Sequence, residues 1–116
     1  MKKLFIAAFM FVSSFGTNVM ADGHAIKMGI ILGFTGPIES LTPAMAASAE
    51  LAFKEASDSG SLLGGKKIEV VRADSTCVDS AAATAAAEGV ISQGVAAIMG
   101  ADCSGVTGAI ASNVAV

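Results

Sequence analysis

The sequence has no Trp, no Tyr and a single His, His24. Without Trp or Tyr, aromatic stacking platforms are scarce. With one His, near the chain start, a Cys–His or Ser–His nucleophile pair has little to draw on, and no Gly-x-Ser-x-Gly occurs. Positive charge is also sparse. Beyond Lys2 and Lys3, the cations are Lys27, Lys54, Lys66, Lys67 and Arg72, against ten carboxylates. That net of −5 argues against nucleic acid, which calls for clustered Lys and Arg. Phosphate-loop signatures are missing too. Gly33-Phe-Thr-Gly36 follows an apolar run, but neither Gly-x-Gly-x-x-Gly nor Gly-Lys-Ser/Thr is present, and Pro37 delays any helix start.

The N-terminus carries a distinct pattern. Lys2 and Lys3 precede the unbroken apolar run Leu4 to Val12, and Ser13 to Asn18 is small and polar. Val19-Met20-Ala21 then supplies small or compact residues at a cleavage site. This is a secretory signal peptide over residues 1–21, cut after Ala21. A transmembrane anchor needs roughly 20 apolar residues, and Ser13, Ser14 and Gly16 to Asn18 interrupt this run too early. Residues 22–116 remain, enough for one small domain.

Two cysteines lie in that remainder, Cys77 and Cys103. In an exported chain an even pair favours a disulfide. It would close a loop of about 27 residues, worth roughly 3–4 kcal/mol in the chain-entropy model. A metal site would need more soft ligands nearby, and a catalytic Cys would need a His partner. No metal and no cofactor is expected.

Apolar runs and turn residues divide the rest of the chain. Ile26 to Leu32 reads as a buried strand, followed by the loop Gly33 to Pro37. Thr42-Pro43 reads as a helix N-cap with Pro at the first helical position. Met45, Ala49, Ala52, Phe53 and Ala56 form the expected apolar face of a helix ending near Ser57. Lys67 to Asp74 is a second strand. Asp79 or Ser80 can cap a second helix to about Gln93, which Gly94 ends. Val95 to Met99 is a third strand, and Ser104 can cap a third helix to about Asn113. The order β-α-β-α-β-α predicts an α/β fold, a parallel sheet covered by helices on both faces. Three strands make a small sheet with bare edges, which suggests the first part of a longer protein.

In such sheets ligands bind beyond the carboxyl ends of the strands, where strand order reverses. With order 2-1-3, the loops Gly33 to Pro37 and Gly100 to Gly105 meet there. The Ser104 hydroxyl and the free N–H groups of Ser104, Gly105 and Val106 would face out of a helix N-terminus, which favours carboxylates and phosphates. Alternatively Ser104 only caps its own helix. Asp74, Asp79 and Asp102 lie at strand ends, where acid–base or cation chemistry is conceivable; loop solvation and helix capping are the plainer roles. A disulfide across this order carries a geometric demand. Strands 2 and 3 are about 9–10 Å apart across strand 1, whereas bridged Cα atoms lie within about 7 Å.

Ile26 to Pro37 resembles the start of mature periplasmic binding proteins of the leucine/isoleucine/valine type, which serve ATP-driven (ABC) importers. Ala73-Asp-Ser-Thr-Cys77 and Gly100-Ala-Asp-Cys-Ser104 resemble that family's second and third strand ends. The resemblance covers residues 26–116. It implies the first part of lobe I of a type I periplasmic binding protein, with Cys77 joined to Cys103. It also implies a periplasmic, non-enzymatic protein that closes two lobes on a branched-chain or related amino acid and docks on a membrane permease. Ser104 would bind the ligand carboxylate, with Gly105 supplying backbone donors. In that family an aromatic residue after Thr-Gly-Pro lines the cleft. Leu41 stands nearest that position here, and Phe34 is a loose substitute. A ligand-sensing receptor of the same fold, for amino acids or amides, is the alternative. Further ligand contacts would lie past Val116, so residues 22–116 alone are expected to bind weakly or not at all.

Overall fold

A computed structural model describes residues 25–115. The expected signal peptide, its cleavage site and His24 lie outside the described residues.

Strand β1 (Ile26–Leu32) is the centre of the sheet, with a strand paired on each side. Strand β2 (Ile68–Asp74) pairs parallel along its whole length, from Ile26 opposite Ile68 to Leu32 opposite Asp74. Strand β3 (Ala97–Gly100) pairs parallel on the other side, from Met28 opposite Ala97 to Ile31 opposite Gly100. The spatial order is therefore β2-β1-β3, the order under which the sequence places the loops after strands 1 and 3 together. Gly29, Ile30, Ile31 and Leu32 are all buried, which is what a parallel strand covered on both faces requires.

Alternation along β1 sorts the core into two layers. Ile30 and Leu32 pack with Ala46 of α1 (Thr42–Asp58), backed by Phe53, Val70 and Met99. Ile31 packs on the opposite face with Ala87 and Val90 of α2 (Ser80–Ser92), backed by Val71 and by Ile110 of α3 (Ser104–Asn113). This split follows from crossover handedness. The chain moves one way from β1 to β2 and back past β1 to reach β3, so crossovers of one hand place α1 and α2 on opposite faces. Small residues set how closely α2 approaches: Ala83 and Ala87 are fully buried against the sheet.

Several boundaries and one helix face differ from expectation. The N-cap of α1 is Leu41, and Thr42 is its first helical residue. The buried Thr42 hydroxyl donates to the carbonyl oxygens of Gly33 (3.1 Å) and Glu39 (3.4 Å). Those bonds fix the rotation of α1. Ala46 therefore faces the core, Ala49, Phe53 and Ala56 are half-buried, and Met45 and Ala52 are exposed. At the other end the Ser57 hydroxyl accepts from the Ile68 N–H (2.8 Å), tying the last turn of α1 to the start of β2. Helix α2 is capped by Asp79, which accepts from the Ala81 and Ala82 N–H groups. Strand β3 begins two residues later than expected and ends at Gly100. No helix among the described residues is long and apolar enough to cross a membrane.

Candidate functional site

Three loops leave the carboxyl ends of the strands on the same side of the sheet. They are Gly33 to Pro37 after β1, Ser75 to Asp79 after β2, and Ala101 to Cys103 after β3. A disulfide joins Cys77 to Cys103, with Cα atoms 5.2 Å apart. That is well inside the spacing of strands two apart, so the outer loops lean together over the end of β1. Two features make this possible. Gly33 lies beneath the bridge, where a Cβ would stand 3.2 Å from the Cys77 Cβ. Thr76 and Cys77 turn the chain inward with φ of 57° and 70°, a left-handed conformation that costs an L-residue about 1–2 kcal/mol. The turn is held by the Thr76 N–H, which donates to Asp74 Oδ1 (2.8 Å), and by the Asp79 N–H, which donates to the Thr76 hydroxyl (3.1 Å).

Asp74 also reaches the β1 loop. The Thr35 hydroxyl donates to its Oδ2 (2.5 Å), and the Thr35 N–H to its Oδ1 (3.3 Å). Partial burial alone would raise the Asp74 pKa. The hydrogen bonds from Thr35, and from the backbone N–H groups of Thr76, Thr35 and Phe34, outweigh it and hold the carboxyl below the ordinary range. On the other side Asp102 Oδ2 accepts from the Gly33 N–H (2.9 Å). The three aspartates considered for acid–base or cation chemistry thus serve as loop ties, in Asp74 and Asp102, and as a helix cap in Asp79.

Helix α3 starts just past the bridge. Cys103 is its N-cap, in extended conformation, and makes no side-chain capping bond. The Thr107 hydroxyl donates to the carbonyl oxygens of Ala101 (2.8 Å) and Cys103 (2.9 Å) and pins the first turn. The Thr107 N–H is the first in the helix to bond backward, to Cys103. The N–H groups of Ser104, Gly105 and Val106 precede it and are left over. Ser104 and Gly105 are exposed, and no hydrogen bond from the Ser104 hydroxyl is found among the described residues. The capping alternative for Ser104 therefore has no bond behind it. A hydroxyl and several amides thus lie in the first turn, at the positive end of the helix dipole, which favours anions.

The other sequence candidates sit at the same end of the sheet in different states. Leu41 is 60% exposed at the start of α1. Phe34 is half-buried against the α1 side of the core, with the Arg72 guanidinium 5.6 Å from its ring centre. Arg72 in turn is held by Glu50, through Nε (2.6 Å) and Nη2 (2.7 Å). Sequence reasoning missed Thr35, Thr107 and the Arg72–Phe34 stack. The one signal for Thr35 was a hydroxyl in a loop following a central strand. An apolar hollow lies between β3 and α3, lined by Ile98, Ala101, Thr107 and Ile110 among others. Ser104 and Gly105 are not part of its walls, which carry no charged side chain.

A family model described as periplasmic binding protein matches residues 25–116. The chain belongs to the periplasmic binding protein family. A solved structure from Streptococcus pneumoniae, the branched-chain amino acid transporter substrate binding protein LivJ in complex with isoleucine, is 31% identical with a TM-score of 0.67. The match covers 77% of this chain and 25% of that one, so this periplasmic binding protein chain spans about a quarter of that relative's length. No curated protein matches. The parallel three-stranded sheet with its helices is that of a lobe of a type I periplasmic binding protein. Both the family and the solved relative are binding proteins and not enzymes.

Proposed function

We propose that the chain forms part of lobe I of the extracytoplasmic solute-binding component of an ABC importer, and that it takes a branched-chain or related amino acid by its carboxylate. The observation that carries this reading is the start of α3: an exposed Ser104 hydroxyl without a partner among the described residues, followed by Gly105, on a helix terminus fixed by the Cys77–Cys103 bridge. A carboxylate placed there takes hydrogen bonds from the hydroxyl and from the amides of Ser104 and Gly105. Hydrogen bonds to a charged group contribute about 1.5–3 kcal/mol each. Isoleucine in the pneumococcal relative supports the ligand class. Leu41 and Phe34 supply apolar surface at the same end of the sheet. A second lobe completes the cleft, the product acts in the periplasm, and a membrane permease receives the ligand.

The test is calorimetric titration of the full-length protein with isoleucine, leucine and valine, beside isoleucinamide, which lacks the carboxylate. The amino acids bind and the amide does not. Ser104→Ala weakens the amino acids about tenfold or more. Equal binding of isoleucine and isoleucinamide would refute carboxylate recognition. Residues 22–116 alone bind no tighter than millimolar, because they offer only one wall of the cleft.

A further inference from the structure

Three consecutive residues of the loop after β1 are each held by a charged side chain from a flanking strand or from the loop that follows it. The Gly33 N–H donates to Asp102, in the loop after β3 (2.9 Å). The Phe34 ring lies under Arg72 of β2 (5.6 Å to its centre). Thr35 donates twice to Asp74, the last residue of β2. Such a loop would otherwise be free to move, since Thr35, Gly36 and Pro37 are exposed. Gly36 adds a constraint. Its φ is +94°, and a Cβ there would stand 2.5 Å from the Thr76 carbonyl oxygen, so the two loops touch backbone to backbone.

These ties connect to the start of α3 by two routes. Asp102 is two residues before Ser104, and Cys103 is bonded to Cys77, whose turn Asp74 holds through Thr76. Both carboxylate oxygens of Asp74 are engaged with loop donors, and Asp102 Oδ2 is engaged with Gly33 while its buried Oδ1 has no partner among the described residues. Charge-assisted bonds to backbone N–H groups are strong and directional. An arrangement that fixes a loop before the ligand arrives lowers the ordering cost of binding.

We propose that Asp74 and Asp102 are positioning residues, which lock the Gly33–Thr35 loop from both sides and so hold that loop and the α3 N-terminus as one preorganised wall of the ligand site. This rests on the reading of Ser104 as the carboxylate site. Arg72 steadies the middle of the loop through Phe34.

The experiment has two arms, so that the two ideas fail separately. The first needs no ligand. Amide hydrogen exchange is followed in the wild-type protein and in Asp74→Ala, Asp74→Asn and Asp102→Ala. Asp74→Ala speeds exchange at Thr35 and Thr76 tenfold or more, while Ile30 and Ile31 in the sheet centre are unchanged. Asp102→Ala does the same at Gly33. Asp74→Asn keeps one acceptor oxygen and restores at least half of the protection on a logarithmic scale. Uniform acceleration through β1, or none at Thr35 and Thr76, overturns the proposal. The second arm measures isoleucine affinity in the full-length protein. Asp74→Ala weakens it about tenfold and Asp74→Asn two- to threefold. Unlocked loops with unchanged affinity overturn the positioning role and leave the Ser104 reading standing. Loss of wild-type isoleucine binding sinks the Ser104 reading and, with it, the loop's role at that site.

Discussion

Removing the Cys77–Cys103 bridge tests the geometry that builds the site. The bridge spans a sequence separation of 26. Chain entropy assigns such a loop about 3–4 kcal/mol of unfolded-state restriction. An opposing effect comes from the turn itself. Thr76 and Cys77 are held at positive φ, at about 1–2 kcal/mol each. Without the bridge Cys77 can relax, whereas Thr76 is still held by Asp74. Relief at one residue offsets part of the loss, leaving a net destabilisation of about 1–3 kcal/mol. For a domain of this size that lowers the melting temperature by roughly 5–20 °C. The assay is urea unfolding of the oxidised protein and of the Cys77→Ala/Cys103→Ala double variant, followed by far-ultraviolet circular dichroism, with the slope checked for two-state behaviour. A difference below about 0.5 kcal/mol would contradict the account. It would mean that the loops lean together without the bond.

Further outcomes follow from single contacts. Asp74 has a depressed pKa, so its contribution is complete above the unfolded carboxylate value of about 4 and is lost as pH falls through the lower folded value; slow exchange at Thr35 should therefore persist at pH 5 and fail only in stronger acid. Thr42→Val removes the buried donor to the Gly33 and Glu39 carbonyl oxygens and should cost about 1–3 kcal/mol in chemical unfolding. Gly36→Ala combines a left-handed φ with a 2.5 Å approach to Thr76 and should disturb the resonances of both loops. Glu50→Ala breaks a partly exposed pair with Arg72 and should cost no more than about 1 kcal/mol, less at high salt.

The succession of strands and all three helices were legible because they depend on local signals: apolar runs bounded by Gly, Pro and Asp, and helices between them. The cysteine pair was legible as well, though not how the chain would bring it together. That depended on Gly33 leaving room and on two left-handed residues, neither of which has a sequence signature. The α1 face was misread at Met45 and Ala52 because helix rotation is set by Thr42 bonding back to Gly33, a tertiary contact. The loop ties escaped for the same reason. Thr35 and Asp74 are 39 residues apart, and Gly33 and Asp102 are 69 apart, so only the closed parallel sheet makes them neighbours. Ser104 was singled out as a helix start beyond a strand end and by the family resemblance. The structure places the N-cap at Cys103, and the Ser104 hydroxyl has no partner among the described residues.

The most direct measurement is isoleucine titration of the full-length protein beside its Ser104→Ala variant, with isoleucinamide as the ligand control. The account predicts saturable binding of isoleucine, none of the amide, and at least a tenfold loss in the variant at an unchanged melting temperature. Unchanged isoleucine affinity in Ser104→Ala, or equal binding of the amide, would contradict it.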